Sequence, residues 1–340
     1  GGVIVTGAPV FIVGCPRSGT TLLRNLLRAH PNLAIPDESH FIPAFYRKFG
    51  DPATSEEAIR IARDILRLQF IVEWDLDLNA QAFAGCRSFR EIVDRLFSAW
   101  AAAKGKPRWG DKTPHYARHM PLLAELFPQC RIIHILRDGR DVALSWLRIG
   151  FGPNNLYSAA RAWERSVRAA RNDSTLLPEG SYCEIRFEDL VANPESALRE
   201  ICTFIGESFD PAVLKPSPLP ESGARRYSYT PNPLLGVDQA VRRRSGIISS
   251  NTGGWREMLS DAEKLLFDST AGELLEEIGY ETGSRRRQVS GIEHLAWGVD
   301  NALKWVWVRL RSSNKRRWLL TDIRLRLAVL QGWFSGRLRS

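Results

Sequence analysis

No other stretch of this 340-residue chain limits its possible folds as tightly as Val10-Phe11-Ile12-Val13-Gly14-Cys15-Pro16-Arg17-Ser18-Gly19-Thr20-Thr21-Leu22-Leu23-Arg24. Val10 to Val13 form a short, continuously apolar run rich in β-branched side chains, the pattern of a strand buried on both faces. Leu22 onward reads as an amphipathic helix. The loop between them suits an anion. Gly14 and Gly19 let the backbone approach a ligand closely, and the amides of residues 17–21 lie at a helix N-terminus, where orphan donors and the dipole favour negative charge. Hydroxyls and the Arg17 guanidinium accompany them.

The Gly-x4-Gly spacing is that of a P-loop, but Thr20-Thr21 stand where a nucleoside triphosphatase carries Lys-Ser/Thr. Without that lysine the loop lacks the point charge that reaches β and γ phosphates. Arg17 supplies instead a planar, bidentate fork suited to a tetrahedral oxyanion. A phosphate or sulfate is the expected ligand rather than a triphosphate. A plain strand-to-helix turn is the simpler account of Gly-Thr-Thr, and the arginine inside the loop weighs against it.

The first helix is expected to end near His30-Pro31, and a short strand, Leu33-Ala34-Ile35, leads into Pro36-Asp37-Glu38-Ser39-His40. Glu38 and His40 therefore fall just past a strand's C-terminal end, the edge where open α/β sheets bind ligands, and are candidates for proton transfer. Ser55-Glu56-Glu57 opens a helix, and Ser88-Phe89-Arg90-Glu91 is a capping box before another running to about Ala103. With no strand pattern between them, residues 50–106 read as a helical insertion beside the site. Thr113 as N-cap and Pro114 at N1 predict a helix over His115 to Phe127, which leaves Lys112 at a loop-to-helix corner.

Arg131 to Leu136 is a second buried strand, ending in Arg137-Asp138-Gly139-Arg140-Asp141 before a helix around Val142 to Leu147. Arg137 and the helix-borne Ser145 flank a second candidate anion site. Asp138 would suit a Walker B metal site, but the adjacent arginine and the absent loop lysine count against one. A helix from about Ala159 to Arg171, a strand over Ser181 to Phe187 and a helix from Asn193-Pro194 to Gly206 continue the alternation, which implies a parallel sheet with helices on both faces. Residues 215–250 are rich in Pro, Gly and Ser, carry Arg225, Arg226 and Arg242 to Arg244, and read as a flap over a nucleotide. Ser260-Asp261-Ala262-Glu263 is a capping box for a last helix stopping at Gly279.

The five cysteines are odd in number and widely spaced, with no Cys-x2-Cys pair, which fits a reducing compartment such as the cytoplasm and suggests neither a disulfide framework nor a zinc site. The net charge of +9 is uneven: Arg285 to Ser340 hold 13 Lys/Arg against 3 Asp/Glu, and the preceding residues 34 against 35. Five tryptophans lie in that tail. Leu295, Val299, Leu303, Val306 and Leu310 share one helix face, and Ile323, Leu327, Leu330 and Phe334 another. A basic amphipathic helix pair with interfacial tryptophans suits peripheral contact with a membrane surface, or docking onto the protein's own body or a second copy. No nucleic-acid module accompanies the charge. No segment has 18 uninterrupted apolar residues, and the opening Gly-Gly in place of Met leaves room for a leader or anchor upstream.

On these residues the chain resembles the sulfotransferases that use 3′-phosphoadenosine 5′-phosphosulfate (PAPS), in particular the group of tyrosylprotein sulfotransferases and bacterial small-molecule and carbohydrate enzymes. The resemblance covers roughly Phe11 to Tyr280 and implies a P-loop-like central parallel sheet flanked by helices, with residues 1–284 as the sulfotransferase domain and 285–340 as an appended helical tail. It implies that Pro16, Arg17, Ser18, Gly19, Thr20 and Thr21 cradle the 5′-phosphosulfate, and that Arg137 and Ser145 hold the 3′-phosphate. Phe187 falls where the family has an adenine-stacking tyrosine. By similarity Glu38 is the carboxylate base and Lys112 the lysine at the phosphosulfate bridge, with Arg17 assisting, and no metal is implied. Other members use a histidine base, so His40 rivals Glu38. The implied acceptor is a hydroxyl on a carbohydrate, glycolipid, small metabolite or tyrosine. The alternatives are a P-loop kinase, which would need Mg²⁺ and ATP, and a non-catalytic binding protein docked on membranes through its tail.

Overall fold

The computed structural model describes residues 7–149, 152–215, 252–283 and 285–311. The flap expected over 215–250, Lys215 apart, and the amphipathic segment from Ile323 to Phe334 lie outside the described residues.

Five parallel strands form the sheet: β1 (Val10–Gly14), β2 (Leu33–Ala34), β3 (Arg108–Lys112), β4 (Arg131–Leu136) and β5 (Tyr182–Arg186), in the order β2-β3-β1-β4-β5. The expected α/β architecture is therefore present. β1 sits in the middle, and its alternate side chains feed two cores. Phe11 and Val13 join the cluster built by the 50–106 insertion. Val10 and Ile12 pack on the opposite face with α1 (Thr20–Leu27), α9 (Phe187–Ala192) and α10 (Pro194–Ile205). The insertion comprises α2 (Ile42–Phe49), α3 (Ser55–Leu66), α4 (Gln69–Val72), a 3-10 turn and α5 (Phe89–Ala103), and its Phe97 stacks on Trp109 of β3 at 4.6 Å. A third cluster joins α7 (Gly139–Ile149), α8 (Leu156–Ser174), the short α11 (Trp255–Met258) and α12 (Asp261–Glu277). The tail contributes α13 (Gly291–Arg311).

Three expectations need correction. Residues 108–112 are a buried strand rather than a loop running into a helix, so Lys112 ends a strand. Arg-Trp-Gly-Asp-Lys has no apolar run, yet its polar heads are satisfied internally. Arg108 alone donates to Ala8 O (2.6 Å), Ile205 O (2.7 Å) and Glu207 Oε1 (2.9 Å). The helix expected over 115–127 is split into a 3-10 turn, Pro114–Arg118, and α6 (Met120–Leu126), because Pro121 cannot continue a helix and must sit in a first turn. Thr113 occupies the N-cap position but makes no capping bond, its hydroxyl being used elsewhere. Finally, Phe187 opens α9 instead of closing the fifth strand.

Candidate active site

Gly14 ends β1 and Gly19 caps α1, so the loop between them projects from the C-terminal edge of the central strand. Its shape needs both glycines. A Cβ on Gly14 would lie 2.7 Å from Ile135 O, and one on Gly19, whose φ is +98°, would lie 2.3 Å from the Phe187 ring. Arg17 also has a positive φ, +79°, and Ser18 N donates to Cys15 O at 3.1 Å, closing a tight turn. The first turn of α1 has no acidic residue to compete for its amides. Ser18 Oγ is buried without a hydrogen-bond partner among the described residues, so the loop holds a hydroxyl with a proton to give, which suits a bound phosphate or sulfate oxygen.

Beside the loop, the Arg17 guanidinium donates through Nε to Ser145 Oγ at 3.0 Å, and Arg137 Nη1 donates to Arg17 O at 3.0 Å. The two expected anion sites thus adjoin through Arg17. The Arg137 guanidinium lies 4.6 Å from the centroid of Phe187, whose ring is buried between it and Gly19. Asp138 is held by Arg140, through Nε (3.0 Å) and Nη2 (2.8 Å). Among the described residues no cluster of His, Cys, Asp or Glu is arranged to hold a metal ion.

On the other side of the loop, Lys112 Nζ contacts Glu38 Oε1 and lies 3.4 Å from Thr21 Oγ1, while His40 Nε2 lies 2.9 Å from Glu38 Oε2. Glu38 is therefore bridged between Lys112 and His40, its rival for proton transfer. Burial alone would raise its carboxyl, but Lys112 and then His40 outweigh that and hold it well below the usual carboxylate range. Burial pulls the Lys112 ammonium down, with Glu38 resisting. His40 has φ +56°, and its ring meets Phe70 edge-on at 5.5 Å and His115 at 6.5 Å, so aromatic rings from the insertion and the 3-10 turn border the open side.

Sequence reasoning missed what fixes this arrangement. Tyr116 OH accepts from Ile42 N (3.0 Å), which directs its own proton to Ser39 Oγ (2.9 Å), and Ser39 in turn donates to Asp111 Oδ2 at 2.6 Å. Thr113 Oγ1 accepts from Ser39 N (3.1 Å) and donates to Asp111 Oδ1 (3.0 Å). All four residues are buried. Ser39 lies between Glu38 and His40, and Asp111 precedes Lys112, so this network sets the two halves of the site against each other. Burial pushes the Asp111 carboxyl up to about 6, against the two hydroxyl donors. The only prior signal was the tight alternation of Asp, Lys and Thr in a segment with no apolar pattern. A second missed contact is Asp141, whose carboxylate accepts from Gly253 N (2.7 Å) and Trp255 N (3.0 Å) and fastens the chain that follows the expected flap onto α7 beside Ser145.

The sulfotransferase family model matches residues 9–211. Protein-tyrosine sulfotransferase A of Caenorhabditis elegans is 26% identical over 216 residues, which are 60% of this chain and 51% of that protein. Nodulation protein NoeE of Sinorhizobium fredii (strain NBRC 101917 / NGR234) is 26% identical over 304 residues, 83% of this chain and 68% of that protein. The chain spans about half the length of the tyrosine sulfotransferases it matches. Among solved structures, the sulfotransferase domain from the Synechococcus PCC 7002 olefin synthase has a TM-score of 0.57 at 24% identity, covering 82% of this chain and 97% of that one, a likeness of fold.

Proposed function

The chain belongs to the sulfotransferase family, and on that premise we propose that it moves a sulfuryl group from PAPS to an acceptor hydroxyl by in-line displacement, with Glu38 as base. The observation that carries this reading is the bridged carboxylate: Glu38 stands between Lys112 and His40, and Lys112 in turn reaches Thr21 of the anion loop. The donor supplies an activated sulfur whose leaving group is a phosphate oxygen. Pro16 to Thr21 hold the phosphosulfate, Ser18 giving a hydrogen bond it does not otherwise make. Arg137 and Ser145 take the 3′-phosphate, and Phe187 backs that side of the site.

Lys112 and Glu38 neutralise each other in the resting chain, where so depressed a carboxylate is a weak base. A substrate oxygen that claims Lys112 strips Glu38 of its cation and raises its basicity when a hydroxyl proton must be taken. Lys112 and Arg17 then meet the negative charge developing on the leaving oxygen. His40, 2.9 Å from the far carboxylate oxygen, is placed to receive the proton next. The acceptor is an alcohol or phenol, of a carbohydrate, glycolipid, small metabolite or tyrosine. The five free cysteines suit a reducing compartment, and we assign the protein to the cytoplasm, with its basic tail at the periphery of a membrane.

Calorimetric titration with 3′-phosphoadenosine 5′-phosphate, alongside ATP with and without Mg²⁺, tests the assignment. Metal-independent binding of the bisphosphate, weakened roughly 10- to 100-fold in Arg137→Ala by loss of a charge-assisted contact, is expected. Preference for ATP with Mg²⁺ would turn the assignment into a kinase, and binding of neither would leave a non-catalytic protein.

A further inference from the structure

Helix α13 is amphipathic in the reverse of the usual sense. The side that meets the body of the protein carries Asp300, Asn301 and Lys304 together with the half-buried Trp297 and Trp307, and it is joined to the body by polar bonds. Asn155 Nδ2 donates to Trp297 O and to Asp300 Oδ2, both at 2.8 Å, Asn154 N donates to Asn301 Oδ1 at 2.7 Å, and Tyr157 OH bonds His294 Nδ1. Asn154, Asn155 and Tyr157 are buried at the start of α8 and just before it, so this is a built joint. The N-terminus of α13 is also fixed, Ser290 Oγ accepting from Glu293 N while Glu293 accepts from Ser290 N.

The opposite side is apolar and open. Ile292, Leu295, Val299, Leu303 and Val306 recur at three- and four-residue steps along one face, with Ile292 83%, Leu295 71% and Leu303 66% exposed. α13 holds six of the nine exposed large apolar side chains among the described residues. An orientation that hydrogen-bonds the polar face inward and leaves the aliphatic face outward needs an apolar medium beyond it.

Charge decides which medium. Residues 301–340 carry ten Lys/Arg and one Asp/Glu. A second copy of the chain would bring two such segments together against their mutual repulsion, whereas anionic headgroups are complementary to them. The side of α13 opposite its aliphatic face is hydrogen-bonded to protein, so the contact is one in which the helix lies along the surface. We propose that α13 rests along an anionic lipid bilayer, with the Ile292-to-Val306 stripe at the boundary of headgroups and acyl chains and Asn154, Asn155 and Tyr157 holding its polar side to the catalytic body. The inference deepens the peripheral placement of the tail given above and is independent of the transfer chemistry.

The test is co-sedimentation of the full chain with vesicles of phosphatidylcholine alone and of phosphatidylcholine with phosphatidylglycerol, at low and high salt. The expected result is binding to the phosphatidylglycerol vesicles, weakened by salt. The double variant Leu295→Glu/Leu303→Glu should partition at least roughly tenfold less, having lost buried apolar area and gained like charge against the lipid. Because both side chains face solvent, its melting temperature and its titration with 3′-phosphoadenosine 5′-phosphate should match the parent, which separates failure of the lipid contact from failure of the donor assignment. Three outcomes overturn the proposal: no binding to phosphatidylglycerol vesicles, full retention of binding by the double variant, or lipid-free self-association that the double variant abolishes.

Discussion

Replacing Asp111 with Asn should make the protein more stable at neutral pH and less active. Asp111 is wholly buried, and in the folded chain its carboxyl is pushed up to about 6 from an ordinary 3.8, first by burial and against the Ser39 and Thr113 hydroxyls. Because the folded value is the higher one, the folded chain holds this proton more tightly than the unfolded chain. The associated stability is complete below the ordinary value and is lost as pH rises through about 6, a total of about 3 kcal/mol. Asn is close in shape to the protonated acid. The variant should therefore match the parent near about pH 4 and exceed it by up to about 3 kcal/mol near about pH 7.5, as read by denaturant unfolding at a series of pH values.

Activity should move the other way. Ser39 and Thr113 both donate to Asp111, and Ser39 Oγ already receives the Tyr116 proton, so only an acceptor at both oxygens satisfies the network. An amide leaves one hydroxyl without an acceptor, and the turn holding Glu38 and His40 loses its fix on Lys112. A displacement of this kind costs roughly 10- to 100-fold in kcat, with affinity for the bisphosphate unchanged because the Arg137 side is untouched. A variant less stable than the parent at neutral pH, a stability difference that does not vary with pH, or full activity would each refute the reasoning.

Two further outcomes are expected. Glu38→Gln keeps a hydrogen-bond acceptor for Lys112 but cannot take a proton, so transfer in a radiolabelled-donor assay should fall by at least roughly 100-fold while calorimetric binding of the bisphosphate persists; unchanged transfer would shift the base to His40. Gly19→Ala meets both a positive φ and the Phe187 ring 2.3 Å away, and should lower the unfolding free energy by about 2 kcal/mol or more, read as a lower melting temperature, with bisphosphate binding weakened; a melting temperature equal to the parent's would mean that the loop is not under this constraint.

The elements that patterned cleanly were legible because their burial is apolar and continuous. β1, β4, α10 with Gly206 behind it and the Ser260 capping box of α12 could be read from local residues alone. β3 could not, because its stability comes from partners far along the chain: Arg108 meets Glu207, and Asp111 meets Ser39. Periodicity measures apolar burial and is blind to buried polar groups that find their partners through the fold. The same limit applies to the site. Arg17, Glu38, Lys112, Arg137 and Ser145 were visible as residue types at spacings, but the contact of Arg17 with Ser145 and the bridging of Glu38 depend on which strands become neighbours. The Ser88 capping box illustrates the margin of error, since Glu91 accepts from Arg87 N at 2.8 Å and the Ser88 hydroxyl alone caps the helix.

The position of β1 has a consequence for how the chain acquires its shape. Val10 pairs with Gly110 on one side and Arg131 on the other, so β1, once it has left the ribosome, has no neighbouring strand to join until about a hundred further residues have followed it. Pairings separated by so much sequence carry a large loop-closure cost and form slowly. Meanwhile Val10 to Val13, with no charge among them, remain an exposed apolar segment of the sort that nascent chains must keep from self-associating. The anion loop is thus the earliest part of the site to be synthesised and waits longest for its frame.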